Sequence, residues 1–376
     1  MALLSLPDEL LSSLPGYLDD IEDFVNLSST CSRLRSALDR TLPTEILRLA
    51  AAQATTFFRP SPWFLVAATA RELGDWARQS DANENALALA FRPHRHTLDG
   101  VLDLAVQHCG LTMQRIRELH KMRYDVMGPV ADRIDELYAP IADTGRAEDG
   151  EESPDDVSRY GNLSTDSEEV FLLYVIYGEL FGPDLHAVLR PDASATARRL
   201  SVLTRMEYVK YCCPGWFVTV FERPDPEIRI LGSGQWGDGG YTLSNPRDNV
   251  VWALLCTQQS RRWRRHWQSI SKAAGCDLTV WDDLQEYQAL DWRRKLWLNV
   301  LLLQGFEGFE MISPVISEDE RLRRWGPRLR EWSTAIASLE AEPPRTPVGR
   351  KTVPVIPCFL AEVTASFDLH TPPRWS

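Results

Sequence analysis

Hydrophobic residues recur at spacings of three and four along most of this 376-residue chain, with polar residues between them. That period places apolar side chains on one helix face and predicts two helical blocks, residues 44–142 and 168–340. Within them we expect helices that start near Trp63 and Met113, a helix that ends at Gly182-Pro183 and one that is broken or kinked at Gly326-Pro327. Strand-like alternation with turn residues predicts a small β-hairpin at residues 216–244. Residues 143–167 are acidic and small, which predicts a disordered linker or loop, and the Pro-rich residues 341–376 predict an extended tail. We therefore expect a mainly α fold with an irregular helical body and one small hairpin.

The first 43 residues predict three short helices of their own. Leucines at spacings of three and four share one face of the first helix: Leu10, Leu11, Leu14 and Leu18. Asp19 or Asp20 is a suitable N-cap for the second helix, Ser29 or Thr30 for the third, and Pro43 is expected to close the unit. Because three such helices bury little surface among themselves, a module of this size needs further contacts, and its spare leucines predict a partner surface.

The same segment, residues 3–43, resembles an F-box, a helical module that binds an adaptor protein. The resemblance rests on a leucine-proline start, the leucines of the first helix and a cysteine in the third, in that order and spacing. The residues expected to form or support the adaptor-binding surface are Leu6, Pro7, Leu10, Leu11, Leu14, Leu18, Leu27, Cys31 and Leu34.

Two residues depart from the F-box pattern. Pro15 falls inside the expected first helix, where a missing N–H and a steric clash cost about 3 kcal/mol. Leu34 stands where many F-box sequences have tryptophan, which is expected to weaken partner binding. Neither departure removes the apolar face.

The resemblance implies a specific role. An F-box protein docks onto a Skp-type adaptor, which joins a cullin–RING ubiquitin ligase, while the rest of the chain recruits a protein substrate. Such a chain is not itself an enzyme, because it acts by holding a target lysine near a charged ubiquitin carrier. The WD, kelch and leucine-rich repeats of several F-box subfamilies are absent from the sequence, so the substrate is not indicated. A scaffold bound to adaptor alone, or an enzyme with an unrecognised site, are the alternatives.

Composition indicates a folded intracellular protein. A hydrophobic content of 44% and 13 tryptophans argue against global disorder, and the net charge of −12 argues against broad nucleic-acid binding. Seven irregularly spaced cysteines without a CxxC pair predict free thiols in a reducing compartment. Because neither a signal peptide nor a membrane-spanning apolar run is visible, we expect the cytoplasm or nucleus and no membrane association.

The sequence offers one candidate ligand site outside the amino-terminal module. The densest positive cluster comprises Arg261, Arg262, Arg264 and Arg265. Guanidinium groups suit a phosphorylated substrate motif, but the same pattern describes the solvated face of an amphipathic helix that buries Trp263 and Trp267. No histidine lies in a zinc-binding pattern, and the glycine-rich residues 232–237 lack the following helix that a dinucleotide site needs. We therefore predict no metal, no cofactor and no catalytic residue.

Overall fold

The computed structural model describes residues 6–92, 98–132, 167–189, 198–213, 261–275, 291–313, 315–349, 351–359 and 362. These residues are mainly helical, with one two-stranded antiparallel sheet near the carboxyl terminus, which confirms the predicted fold class. The chain divides into two compact units, Met1–Arg123 and Tyr124–Ser376. The predicted hairpin at 216–244 and almost all of the predicted linker at 143–167 lie outside the described residues; Ser167 itself begins a helix.

The first unit is a succession of short helices. They are α1 (Asp8–Ser12), a 3-10 helix (Leu14–Tyr17), α2 (Ile21–Thr30), α3 (Ser32–Leu38), α4 (Pro43–Ala52), α5 (Ala54–Phe57), α6 (Trp63–Ala77), α7 (Asp81–Ala90), α8 (Asp99–His108) and α9 (Met113–Met122). A π-helical turn (Arg123–Met127) begins at the last residue of this unit and belongs otherwise to the second. Helix α6 is the centre of the core: it is buried along most of its length and packs against α7 and α8.

Pro15 and Pro43 lie at helix starts. The first helix is shorter than expected, because α1 ends at Ser12 and leaves Leu14 and Leu18 outside it. Pro15 is therefore not inside an α-helix but is the second residue of a separate 3-10 helix. Pro43 likewise begins α4 instead of closing the preceding segment. The first turn of a helix has no internal partner for its N–H groups, so proline loses no hydrogen bond at either position.

Helix caps explain where α2 and α3 begin. Of the two expected caps for α2, Asp20 takes the role, because its Oδ1 accepts a hydrogen bond of 2.9 Å from the Asp23 N–H. The expected cap of α3 at Ser29 or Thr30 is wrong, since α2 continues through both residues. Cys31, in an extended conformation, separates the two helices and caps α3 without a side-chain hydrogen bond.

The second unit is a helical bundle followed by a hairpin. Its elements are α10 (Ser167–Leu189), α11 (Val202–Tyr211), α12 (Arg261–Ala274), α13 (Trp292–Leu302), α14 (Phe306–Ile312), α15 (Glu318–Ser338), β1 (Arg345–Val348) and β2 (Lys351–Pro354). Helix α15 packs along α12 and α13. Among the described residues of this unit, four indole rings are buried, those of Trp267, Trp297, Trp325 and Trp332. None of the helices in the described ranges is long and apolar enough to span a membrane.

Two helices of this unit continue through prolines at which the sequence predicts a break or kink. Helix α10 passes Gly182 and Pro183, and α15 passes Pro327. The glycine in α10 has a tertiary role, because a Cβ atom at Gly182 would lie 2.2 Å from the Leu303 carbonyl oxygen. This close approach packs α10 against the turn before α14, and such packing overrides local helix propensity.

The hairpin occupies part of the tail that was expected to be extended. Its turn contains Gly349 at a φ of 60°, a conformation that suits glycine. The Val355 N–H donates to the Pro344 carbonyl at 2.7 Å, so residues 344 and 355 form a hydrogen-bonded pair. Hydrogen-bonded and non-hydrogen-bonded pairs alternate along an antiparallel ladder, so the backbones of Pro347 and Pro354 face away from the partner strand. Proline at both outward positions removes donors to which a further strand would bond.

Candidate functional site

The residues with an F-box-like pattern lie in and beside helices α1 to α3. One small core cluster of this segment has three buried members, Leu11, Leu34 and Ala37, while Ile21, Phe24 and Leu38 are buried outside that cluster. The half-buried side chains packed against the cluster are Leu6, Leu14, Leu27 and Cys31. Helix α3 contacts both α1 and α2, so this cluster is the common core of the three helices.

The predicted adaptor-binding residues thus divide by exposure. Leu10 is 52% exposed and Pro7 is also exposed, whereas Leu18 is half-buried. Leu11 and Leu34 are inaccessible and support the surface from within. Leu34, at the position where many F-box sequences have tryptophan, fills the core of this segment.

Further apolar side chains extend the exposed surface of the segment. Tyr17 in the 3-10 helix, Val25 in α2 and Leu42 after α3 are all exposed, as is Leu10 in α1. Isolated exposed leucines are ordinary on protein surfaces, and the four residues named here lie between positions 10 and 42, beside a small core.

Two arginines hold the segment together and attach it to the rest of the first unit. Arg33 of α3 donates to the Asp8 carboxylate at 3.0 Å and to the Leu6 carbonyl at 2.9 Å, which joins α3 to the start of α1. Arg48 of α4 donates to the carbonyls of Pro15 and Leu18 at 2.9 and 3.2 Å. The carbonyls at both ends of the α1–3-10 region are therefore fixed by guanidinium groups.

The basic cluster lies on α12 as the sequence predicts. Arg264 and Arg265 are exposed, while Trp267 and Ile270 are buried against the bundle. The backbones of Arg261 and Arg262 belong to the helix, but their side chains and that of Trp263 are outside the described set. The burial of Trp267 fits an amphipathic helix, and Arg264 and Arg265 lie on its solvent side.

A buried ionic network in the second unit was missed by the sequence analysis. Arg205 of α11 and Glu362 form an ion pair with an Nε–Oε1 distance of 2.7 Å, and their side chains are 1% and 0% exposed. The Tyr177 hydroxyl of α10 donates a hydrogen bond to the other oxygen of Glu362. Arg205 also donates to the carbonyls of Pro354 and Val355 at 3.1 and 2.9 Å. One guanidinium group therefore fastens the hairpin and Glu362 to the helices.

The pKa shifts of Arg205 and Tyr177 indicate that this network is a structural contact. Burial disfavours the charged guanidinium, but the Glu362 carboxylate offsets this and raises the pKa of Arg205. Burial, with the nearby Glu362 charge, raises the pKa of the Tyr177 hydroxyl well above its ordinary value. Arg205 therefore stays charged and Tyr177 stays protonated, as a permanent donor to Glu362.

A second polar cluster joins α14 to α15. The Glu307 carboxylate accepts hydrogen bonds from Trp325 Nε1 at 2.9 Å and from Arg328 at 2.7 Å. Burial alone would raise the pKa of Glu307, but the Trp325 hydrogen bond and the Arg328 charge lower it on balance. Arg328 also donates to Gln304 at 2.6 Å, so the cluster fixes the start of α14 against the middle of α15.

The described cysteines are free thiols: Cys31, Cys109, Cys212, Cys213 and Cys358. Burial raises the pKa of Cys109 to about 12, with a smaller contribution from Glu72. Across the described ranges, no group of three His, Cys, Asp or Glu residues is arranged to hold a metal ion.

No family model, curated protein or solved structure matches this chain. The F-box resemblance therefore stays a prediction, and it depends on the α1–α3 segment.

Proposed function

We propose that this protein is a substrate-recruiting F-box subunit, in which α1 to α3 bind a Skp-type adaptor that connects the chain to a cullin–RING ubiquitin ligase. The supporting observation is the exposed Leu10 beside the Leu11–Leu34–Ala37 core. Covering this exposed apolar side chain with a second protein would stabilise the segment, because the segment has little core of its own.

The construction of the segment supports a docking role. Arg33 and Arg48 fix its backbone carbonyls from α3 and α4, so the exposed leucine is presented on a held scaffold. A pre-organised surface loses less conformational entropy when it binds, which favours affinity. The chain would then contribute proximity and no covalent chemistry of its own.

In this proposal the second unit recruits the substrate protein. The exposed Arg264 and Arg265 on α12 are the candidate contacts for a phosphorylated or acidic substrate motif, together with Arg261 and Arg262 of the same helix. The substrate itself is not indicated by these residues.

Replacing the exposed leucine tests the adaptor contact. Leu10 lies in the first turn of α1, where an acidic side chain is compatible with the helix dipole, so Leu10→Asp is expected to leave the fold intact. It should weaken adaptor co-purification by about tenfold or more, because burying a leucine contributes about 1.5–3 kcal/mol and an unpaired carboxylate opposes burial.

The matched control is Leu203→Asp. Leu203 is also an exposed leucine in the first turn of a helix, α11, but it lies in the second unit and is 69% exposed. Adaptor co-purification should be unchanged in this variant. Equal adaptor recovery with Leu10→Asp and wild type would contradict the proposal. Cullin in the same wild-type sample separates a ligase subunit from a scaffold bound to adaptor alone.

A further inference from the structure

A polar notch lies between α1 and α3. It encloses about 250 Å³. Its polar lining residues are Asp8, Ser12, Ser32, Arg33, Ser36 and Arg40. On α1 the side chains of Asp8 and Ser12 share one face, four residues apart, while Leu10 projects from nearly the opposite face. The notch is therefore separate from the proposed adaptor-binding leucine, and its function does not depend on that proposal.

The notch concentrates hydrogen-bond donors that the described residues do not use. Arg40 and the hydroxyls of Ser32 and Ser36 have no hydrogen-bond or ionic partner within the described part of the chain, and all three residues are exposed. The Arg33 guanidinium also borders the notch and is held in place by the Asp8 carboxylate and the Leu6 carbonyl. Two guanidinium groups and two open hydroxyls thus border one small recess.

The geometry points to an anion site for a phosphate monoester, the phosphoserine or phosphothreonine side chain of a partner protein. Guanidinium and hydroxyl donors suit the several acceptor oxygens of a phosphate group. The volume is smaller than the roughly 300–1,000 Å³ of sites for drug-sized ligands, so it fits a single side chain rather than a nucleotide cofactor.

The surroundings favour a protein-borne phosphate over a polyanionic surface. The first turns of α1 and α2 carry Asp8, Glu9, Glu22 and Asp23, and the whole chain has a net charge of −12. A nucleic acid or an anionic membrane presents many charges at once and would be repelled by these carboxylates. A single phosphorylated side chain in the notch meets two arginines, Arg33 and Arg40, and one carboxylate, that of Asp8.

Asp8 is expected to lower the affinity of the notch for a phosphate monoester. Its carboxylate occupies Arg33 at 3.0 Å and borders the notch, so it competes with an incoming phosphate for the same guanidinium. Asp8→Asn removes the negative charge and keeps an acceptor oxygen for Arg33. This variant should therefore bind a phosphate monoester more tightly than the wild type.

The experiment is a titration of the full-length chain with N-acetyl-O-phosphoserine amide, followed by ³¹P NMR. We expect saturable binding in the millimolar range. Arg40→Ala should weaken it about tenfold, as the loss of one charge-assisted hydrogen bond implies. The control is Arg35→Ala, which removes an exposed arginine of α3 that does not line the notch, and it should leave the affinity unchanged.

Three outcomes would overturn the assignment. They are an absence of binding to the wild type, an equal loss in Arg35→Ala and Arg40→Ala, and binding of inorganic phosphate as tightly as the phosphoserine compound. The second outcome would indicate diffuse electrostatic attraction, and the third a site for the free ion. Circular dichroism of each variant verifies its fold, and adaptor co-purification by Arg40→Ala shows whether the two surfaces act independently.

Discussion

Removing the buried carboxylate of Glu362 is expected to destabilise the second unit strongly. In Glu362→Ala the Arg205 guanidinium loses its partner at 2.7 Å, while its remaining hydrogen bonds go to the uncharged carbonyls of Leu200, Pro354 and Val355. Since Arg205 is 1% exposed, water cannot replace the lost carboxylate. The Tyr177 hydroxyl loses its acceptor in the same substitution.

The magnitude follows from burial and distance. Charges 2.7 Å apart attract each other by about 6 kcal/mol at an effective dielectric constant of ~20, and desolvation of both ions offsets much of that. Removing one partner of a buried pair typically costs about 3–5 kcal/mol, because the other charge stays buried. Replacing both, in Arg205→Met with Glu362→Leu, should cost less than Glu362→Ala alone.

Urea denaturation followed by tryptophan fluorescence measures these differences. The buried Trp267, Trp325 and Trp332 of the second unit contribute to this signal, together with tryptophans of the first unit such as Trp63. The exposed pair of Arg345 and Glu342 provides the control, since Glu342→Ala should change stability by less than about 1 kcal/mol. A loss below about 1 kcal/mol in Glu362→Ala, or a double variant that is worse than the single one, would refute this reasoning.

Two further predictions concern titration and reactivity. The Trp325 hydrogen bond and the Arg328 charge lower the pKa of Glu307 in the folded protein, against the effect of burial. The Glu307 carboxylate therefore stabilises the fold at pH values above its unfolded pKa of about 4.3, and this stabilisation is lost as the pH falls below that value. Urea titrations through this acidic range should show a steeper loss in the wild type than in Glu307→Gln; parallel curves would contradict the assignment. Iodoacetamide at pH 8 should spare Cys109, whose pKa is raised to about 12, until the first unit unfolds, while the half-exposed Cys31 is alkylated in the native protein. Mass spectrometry that finds Cys109 modified as fast as Cys31 would contradict that prediction.

Helices with strong apolar periodicity could be predicted from the sequence, and prolines caused most of the errors. The expected helix from Trp63 and the one from Met113 agree with α6 and α9, because their apolar faces follow the helical period closely. Pro183 and Pro327 were expected to disrupt helices that continue through them. Local propensity predicts a break there, but packing against distant segments decides the outcome.

In the candidate site, too, the helical periodicity could be predicted from the sequence, whereas contacts between residues far apart in the sequence could not. Periodicity identifies Leu10 and Leu11 as members of one apolar face, yet Leu10 is exposed and Leu11 buried, because the position of α3 decides which leucine is covered. Arg205 and Glu362 are 157 residues apart in sequence, so no local pattern indicates that they meet. The polar notch likewise depends on how α1 and α3 pack.

Direct binding of the purified full-length chain to a purified Skp-type adaptor, measured by isothermal titration calorimetry, tests the proposed function most directly. We expect a one-to-one complex with micromolar or tighter affinity, weakened about tenfold or more by Leu10→Asp and unchanged by Leu203→Asp. The absence of binding by the wild type, or equal affinity of the Leu10→Asp variant and the wild type, would contradict it.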